Sequence, residues 1–182
     1  MSATDDLERL LYTAEKLFYE RGYGSVGMDA LRADSGLALK RIYSLLPSKD
    51  AIAVAMLERR DVAWRGELAA FVDGVSGARE RVLAVFAWLE EWLAGPGHRG
   101  CAWINAFGEL GTESPAVAAT VREHKGRVRE YLDGLCAEAG CSPAVAAAVF
   151  LLAEGAMSTA GIEGSPAAAR EARAAVELLL AG

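Results

Sequence analysis

Ser35-Gly36-Leu37-Ala38-Leu39-Lys40-Arg41-Ile42-Tyr43-Ser44-Leu45-Leu46-Pro47-Ser48-Lys49 is the stretch that decides the fold. Gly36 supplies a left-handed turn that closes one short helix. A second short helix follows over Ala38 to Leu45, with Lys40, Arg41 and Tyr43 on one side and Leu37, Ile42 and Leu46 on the other. Pro47-Ser48 then breaks the chain, and Ser48 is placed to cap a longer helix opening at Lys49. Two short helices joined by a tight turn containing Gly form the helix-turn-helix pattern, whose second helix enters a DNA major groove. Duplex DNA is therefore the first partner the sequence suggests.

Upstream of this stretch, Leu7, Leu10, Leu11, Ala14, Leu17 and Phe18 recur at helical spacing. Asp5 and Asp6 fall in the first turn, where they suit the helix dipole. Gly22 and Gly24 end this helix, and Gly27 to Asp34 forms the next, buried through Met28 and Leu31. Downstream, the pattern predicts helices over residues 49–73, 78–94, 101–110, 115–139, 144–159 and 167–181, separated by Gly- and Pro-containing breaks. No strand pattern occurs. The expectation is an all-α fold of about nine helices, with a three-helix head over residues 1–48 and a helical body over residues 49–182.

At 53% hydrophobic and 24% charged, the 182-residue chain can bury a substantial core. The net charge is −6, but residues 1–65 carry ten Lys/Arg and ten Asp/Glu, whereas residues 66–182 carry nine and fifteen. The head is thus neutral, with cations gathered near residues 40–49 that can meet phosphates locally. Three cysteines, Cys101, Cys136 and Cys141, with no signal peptide ahead of them, point to a reducing cytoplasm. The longest uninterrupted apolar run, Ala144 to Ala153, is too short for a spanning helix of about 20 residues, so no membrane partner is expected.

Glu15 to Met56 resembles the N-terminal DNA-binding domain of the TetR family of transcriptional regulators. The resemblance rests on Leu17-Phe18-Tyr19-Glu20-Arg21-Gly22-Tyr23, Ser35-Gly36-Leu37, Ile42-Tyr43 and Pro47-Ser48-Lys49-Asp50-Ala51, in order and without gaps. The segment Arg99 to Asn105 and the later His124-Lys125 look like one subgroup's effector domain. The resemblance implies a homodimer in which residues 49–182 form an effector-binding and dimerisation domain. Several residues depart from the family's pattern. Val26 and Gly27 stand where hydroxyls usually open the second helix, which leaves Ser25 as the substitute. Ala38 replaces a capping Ser, Lys40-Arg41 replace a small residue and Thr, and Leu45-Leu46 replace an aromatic pair.

For the reading face, the resemblance implies phosphate contacts by Tyr43 and Lys49. The chemistry of Lys49 agrees: a cation in a helix's first turn opposes the dipole, and a phosphate there relieves the conflict. Lys40 and Arg41 are the base-edge candidates, since Arg bonds bidentately to guanine O6 and N7. Leu39 meets a thymine methyl or packs on the first helix, and Ser44 reaches a phosphate or only solvent. One chain presents one reading head, so a homodimer on a near-palindromic double-stranded operator is expected.

In the body, the helix from Ala144 is apolar nearly all round, interrupted only by Glu154, and must be buried on several faces. Val145, Val149, Leu152, Ala156, Val176 and Leu180 are the candidate dimer interface; a central core helix within one subunit is the alternative. Trp88, Trp92, Trp103, Phe107, Phe150 and Met157 are candidate walls of a pocket for a small apolar or amphipathic effector. Asn105, Glu109 and Glu154 are its candidate polar groups, and a filled core is the alternative. No metal, cofactor or catalytic arrangement is expected, and His124-Lys125 reads as a solvated pair on a charged helix. Cys136 and Cys141 are thiols without a role or, alternatively, a redox-sensing pair.

The reading is a ligand-responsive regulator, most often a repressor in such a family, and not an enzyme. One rival is a helical small-molecule-binding protein or enzyme with an incidental helix-turn-helix corner. Another is a DNA-binding scaffold that answers only to a partner protein.

Overall fold

The computed structural model describes residues 2–181. Among these, nine helices and no strand occur: α1 (Ala3–Arg21), α2 (Met28–Ser35), α3 (Leu39–Leu45), α4 (Lys49–Asp73), α5 (Ala78–Leu93), α6 (Ala102–Leu110), α7 (Pro115–Glu138), α8 (Pro143–Glu163) and α9 (Ala167–Ala181). The chain forms two compact units. The first comprises the chain up to Ala63 together with Ala102–His124, and the second Trp64–Cys101 together with the chain from Lys125. The divisions between the units fall inside α4, just before α6, and inside α7.

In the first unit, α1, α2 and α3 pack on one another through Leu10, Leu17, Leu31 and Ile42, all fully buried. Burial of each such side chain contributes about 1.5–3 kcal/mol. Helix α1 is held at its start by a capping box in which Ser2 and Asp5 exchange hydrogen bonds. Gly36, at φ 66°, ends α2 in the left-handed conformation, so the turn into α3 needs a residue without Cβ. Neither α2 nor α3 has a side-chain N-cap: Gly27 and Ala38 occupy those positions, and Ser25 does not substitute. Ser48 does cap α4, accepting from the Ala51 N–H at 3.1 Å.

In the second unit, α8 packs against α9 and α5, and α5 against α9. The alanines of α8 and α9 let these helices approach closely, with Ala153, Ala156, Ala160, Ala169 and Ala172 buried between them and their neighbours. Helix α8 runs to Glu163, four residues beyond the expected end. Gly161 is not a breaker but a close-approach residue: a Cβ there would meet the Arg99 carbonyl oxygen at 2.9 Å. The stop comes at Gly164, in the left-handed region at φ 65°. By length and composition α8 could cross a membrane, with a mean hydropathy of 1.7 over 18 residues. Here it packs chiefly on α9, with Val149, Phe150 and Met157 buried.

Candidate functional site

Helix α3 divides its residues by direction. Ile42 points into the head and is fully buried. At 100° per residue, Lys40 and Ser44 lie opposite it, with Tyr43 and Arg41 on the two flanks. Lys40, Tyr43 and Ser44 are exposed, whereas Leu39 is half-buried at the seam with the head. The Ser44 hydroxyl donates to the Arg41 carbonyl at 2.7 Å, which turns it back along its own helix. Lys49 is half-buried in the first turn of α4.

Arg41 is not a solvated side chain. Its Nε donates to Asp6 Oδ2 at 2.9 Å, and Arg9 donates to the other oxygen, Oδ1, at 2.7 Å. The hydrogen bond from Arg41 holds the Asp6 carboxyl below its ordinary value; burial opposes this, and Arg9 adds to it. Sequence reasoning missed Asp6. Its i, i+3 relation to Arg9 was readable, but its contact with Arg41, 35 residues on, was not.

The rest of the first unit is tied by charges that join distant segments. Arg59 bridges Glu8 and Glu15, both at 2.9 Å, and Arg60 reaches Glu15 at 2.6 Å while its guanidinium covers the Tyr19 ring. The sequence placed His124 in solvent; it is only 2% exposed. Its Nδ1 stands 2.7 Å from Asp61 Oδ1, and its ring stacks on Trp103 at 3.4 Å. Facing a carboxylate, Nδ1 is the protonated nitrogen. Two helices, α4 and α7, bury complementary polar groups here, and such pairing cannot be read from one helix's pattern.

The effector candidates fall into both units and are described separately. In the first unit, Trp103 is buried, Asn105 is half-buried and Phe107 is exposed. Glu109 Oε2 accepts from the Gly24 N–H at 2.8 Å and ties α6 to the turn before α2. In the second unit, Trp88 and Trp92 stack at 5.9 Å, with Trp64 edge-on to both. Phe150 lies under the Arg129 guanidinium at 3.9 Å, and Met157 is buried. Glu154 pairs with Lys125 at 2.6 Å, and the same ammonium donates to Cys101 Sγ at 3.2 Å. Burial pushes the Lys125 pKa down, but Cys101 and Glu154 outweigh it, and the net shift is upward. Lys125 is therefore a half-buried, paired cation, not the solvated one the sequence suggested.

The interface candidates divide likewise. Val149, Ala156, Val176 and Leu180 are buried within the unit's own core, and Val145 and Leu152 are half-buried. The open stripe lies one helical face away. It comprises Leu151 and Ile162, which share one face of α8 and are 63% and 86% exposed, and Leu178 of α9, which is 77% exposed. A groove along α8 and α9 is lined by Leu151, Leu152, Gly155, Thr159 and Glu171. A helix apolar all round gave no sign of which side its own subunit would fill.

Cys136 is fully buried, and burial, with the neighbouring Cys141, pushes its thiol up to about 12. Cys141 is half-buried just beyond α7. Among the described residues no cluster of His, Cys, Asp and Glu could hold a metal ion.

No family model matches the chain. Over 83 residues, 45% of its length, it is 34% identical to the HTH-type transcriptional repressor NemR of Escherichia coli strain K12, and the match spans 42% of that protein. Among solved structures it is similar to SCO4454, a TetR-family transcriptional regulator from Streptomyces coelicolor. The TM-score is 0.89 at 27% identity, covering 97% of this chain and 95% of that one. The reduced form of E. coli NemR superposes with a TM-score of 0.84 at 24% identity, covering 96% of each chain. A TetR-family regulator from Agrobacterium tumefaciens shares the fold with a TM-score of 0.85 at 19% identity, covering 98% of this chain and 99% of that one. With its three-helix head, Gly36 turn, capped α4 and helical body, the chain shares the fold of the TetR-family transcriptional regulators to which it is similar.

Proposed function

We propose that the protein is a homodimeric, ligand-responsive transcriptional regulator acting in the cytoplasm, a repressor released from a near-palindromic operator by a small-molecule effector. The observation that carries the reading is the outward face of α3. It presents Lys40, Tyr43 and Ser44 on a seven-residue helix whose one fully buried side chain, Ile42, seats it on the head. A short helix with a cationic, hydroxyl-bearing outer face matches the donor and acceptor pattern of a major groove. Tyr43 and Lys49 serve as phosphate contacts that set register, and Lys40 and Arg41 serve as base readers.

Two heads are needed for two half-sites, about 34–36 Å apart on DNA. The apolar stripe Leu151, Ile162 and Leu178 supports a second copy as its occupant, through α8 and α9 of each chain. The effector is an apolar or amphipathic molecule bound in the helical body, where Trp88, Trp92, Phe150 and Met157 supply walls and the Lys125–Glu154 pair supplies orientation. Its binding shifts the population of α4 positions and so the separation of the two heads, which lowers affinity for an operator of fixed spacing.

A gel shift with duplexes selected from a randomised library tests this reading. A specific complex with two chains per duplex, weakened as salt rises, is expected. Equal retention of all duplexes at 150 mM salt rejects it.

A further inference from the structure

Arg41 and Asp6 together carry an inference about how the head reads sequence, and it rests on the reading that α3 enters the major groove. We propose that Asp6 is a specificity-determining positioning residue, whose carboxylate holds the Arg41 guanidinium by one edge so that its terminal fork faces a base.

A guanidinium has five N–H donors in a rigid plane. One of them, on Nε, is spent on Asp6 Oδ2 at 2.9 Å. That removes the side-on pair formed by Nε and its neighbouring Nη. The end-on pair, Nη1 and Nη2, is the fork left for a bidentate contact, and guanine O6 and N7 are the acceptors that fit it.

The carboxylate is itself fixed. Arg9 holds its second oxygen at 2.7 Å, and the Asp6 side chain is 11% exposed. Asp6 belongs to α1 and Arg41 to α3, so the contact ties the reading helix to the helix that supports it. An arginine ordered before DNA arrives loses less side-chain entropy on binding than a solvated one.

The charge balance separates this role from simple inhibition. Asp6, Arg9 and Arg41 together carry one net positive charge, so the carboxylate does not cancel the attraction to DNA. The lowered Asp6 pKa keeps that carboxylate charged at neutral pH. The arrangement leaves Lys40 as the adaptable reader at the centre of the face and makes Arg41 the rigid one at its edge.

The test uses the full chain and the operator it selects from a randomised duplex library. Wild type, Asp6→Asn, Arg41→Lys and the double variant are titrated by fluorescence anisotropy against that operator and its single base-pair variants at one salt concentration. Circular dichroism confirms that each is folded. Asp6→Asn is expected to lose about tenfold of its discrimination at one symmetry-related guanine position, with preferences elsewhere retained. In the Arg41→Lys background, Asp6→Asn should change nothing further. Tighter binding by Asp6→Asn with unchanged preferences would show Asp6 to be a competitor for Arg41 and overturn the proposal. Uniform weakening on every duplex, in both backgrounds, would reduce Asp6 to a structural role and overturn it too. Failure of the wild type to select any operator would reject the DNA-binding reading itself, a result distinct from either.

Discussion

The outer face of α3 and the outer stripe of α8 and α9 are both open, and they are chemically opposite. The first exposes Lys40, Tyr43 and Ser44, backed by the Arg41–Asp6–Arg9 chain of ion pairs. The second exposes Leu151, Ile162 and Leu178 on helices built largely of alanine. Single exposed apolar residues need no explanation, but large ones that recur on one helix face mark a candidate interaction surface. A polar face that keeps its donors oriented suits a polar, charged partner such as DNA. An apolar stripe at helix spacing suits another helix pair. The difference shows that net charge alone misleads here: a chain of net charge −6 still keeps a local cationic face on α3.

The comparison is broken most strongly by putting charge into the apolar stripe. The double variant Leu151→Glu, Leu178→Glu should be monomeric by analytical ultracentrifugation and lose on the order of a hundredfold or more in operator affinity, because the second head's contribution is lost. A dimer of unchanged stability would move the interface elsewhere.

Next in size is the contrast between neighbours on α9. Leu180→Ala removes a core side chain and should cost about 2–5 kcal/mol in denaturant unfolding. Leu178, which is 77% exposed, should cost the monomer under about 0.5 kcal/mol when changed to Ala. Equal costs would mean that the stripe and the core are not distinct.

On the reading face, Lys40→Ala should relax base preference by about tenfold at the bases it meets. Lys49→Ala should weaken all duplexes alike and lower the salt slope by about one. If both changes gave the same pattern, the division between reader and phosphate contact would fail.

The smallest effects are in titration. Asp6 has a depressed pKa in the folded state, so its contribution is present above its ordinary value of 3.8 and is lost as pH falls through the lower folded value. Asp6→Asn should therefore flatten the acid limb of stability below about pH 4. For Cys136 the folded pKa is raised, so stability falls as pH rises from the ordinary 9.0 towards about 12. At pH 8, iodoacetamide should label Cys141 well before Cys136, as mass spectrometry of the digested protein would show.

Much of this was legible in the residues. The Gly36 turn, the Ser48 cap and the helical spacing of Leu10, Ala14 and Leu17 in α1 and of Ile52 and Met56 in α4 are local signals, and they locate the head and α4. Lys40, Tyr43 and Ser44 were legible as an outward face because Ile42 fixes which way α3 turns. What escaped depends on contacts between distant segments. Arg41 is claimed by Asp6, Glu109 by the Gly24 backbone, and His124 by Asp61, each across 35 residues or more. The end of α8 was misplaced because Gly161 is needed for close approach to Arg99, which spacing alone cannot distinguish from a stop. Which side of α8 and α9 stays open was not legible because alanine-rich helices carry little contrast between their sides.

The central claim is that two α3 helices of one dimer read one operator. Selection from a randomised duplex library, followed by sedimentation of the selected complex, tests it most directly. The account predicts a near-palindromic consensus with half-site centres one helical turn, or a multiple of it, apart, bound by two chains or a multiple of two. An unenriched library, or a consensus without two-fold symmetry bound by one chain, would contradict it.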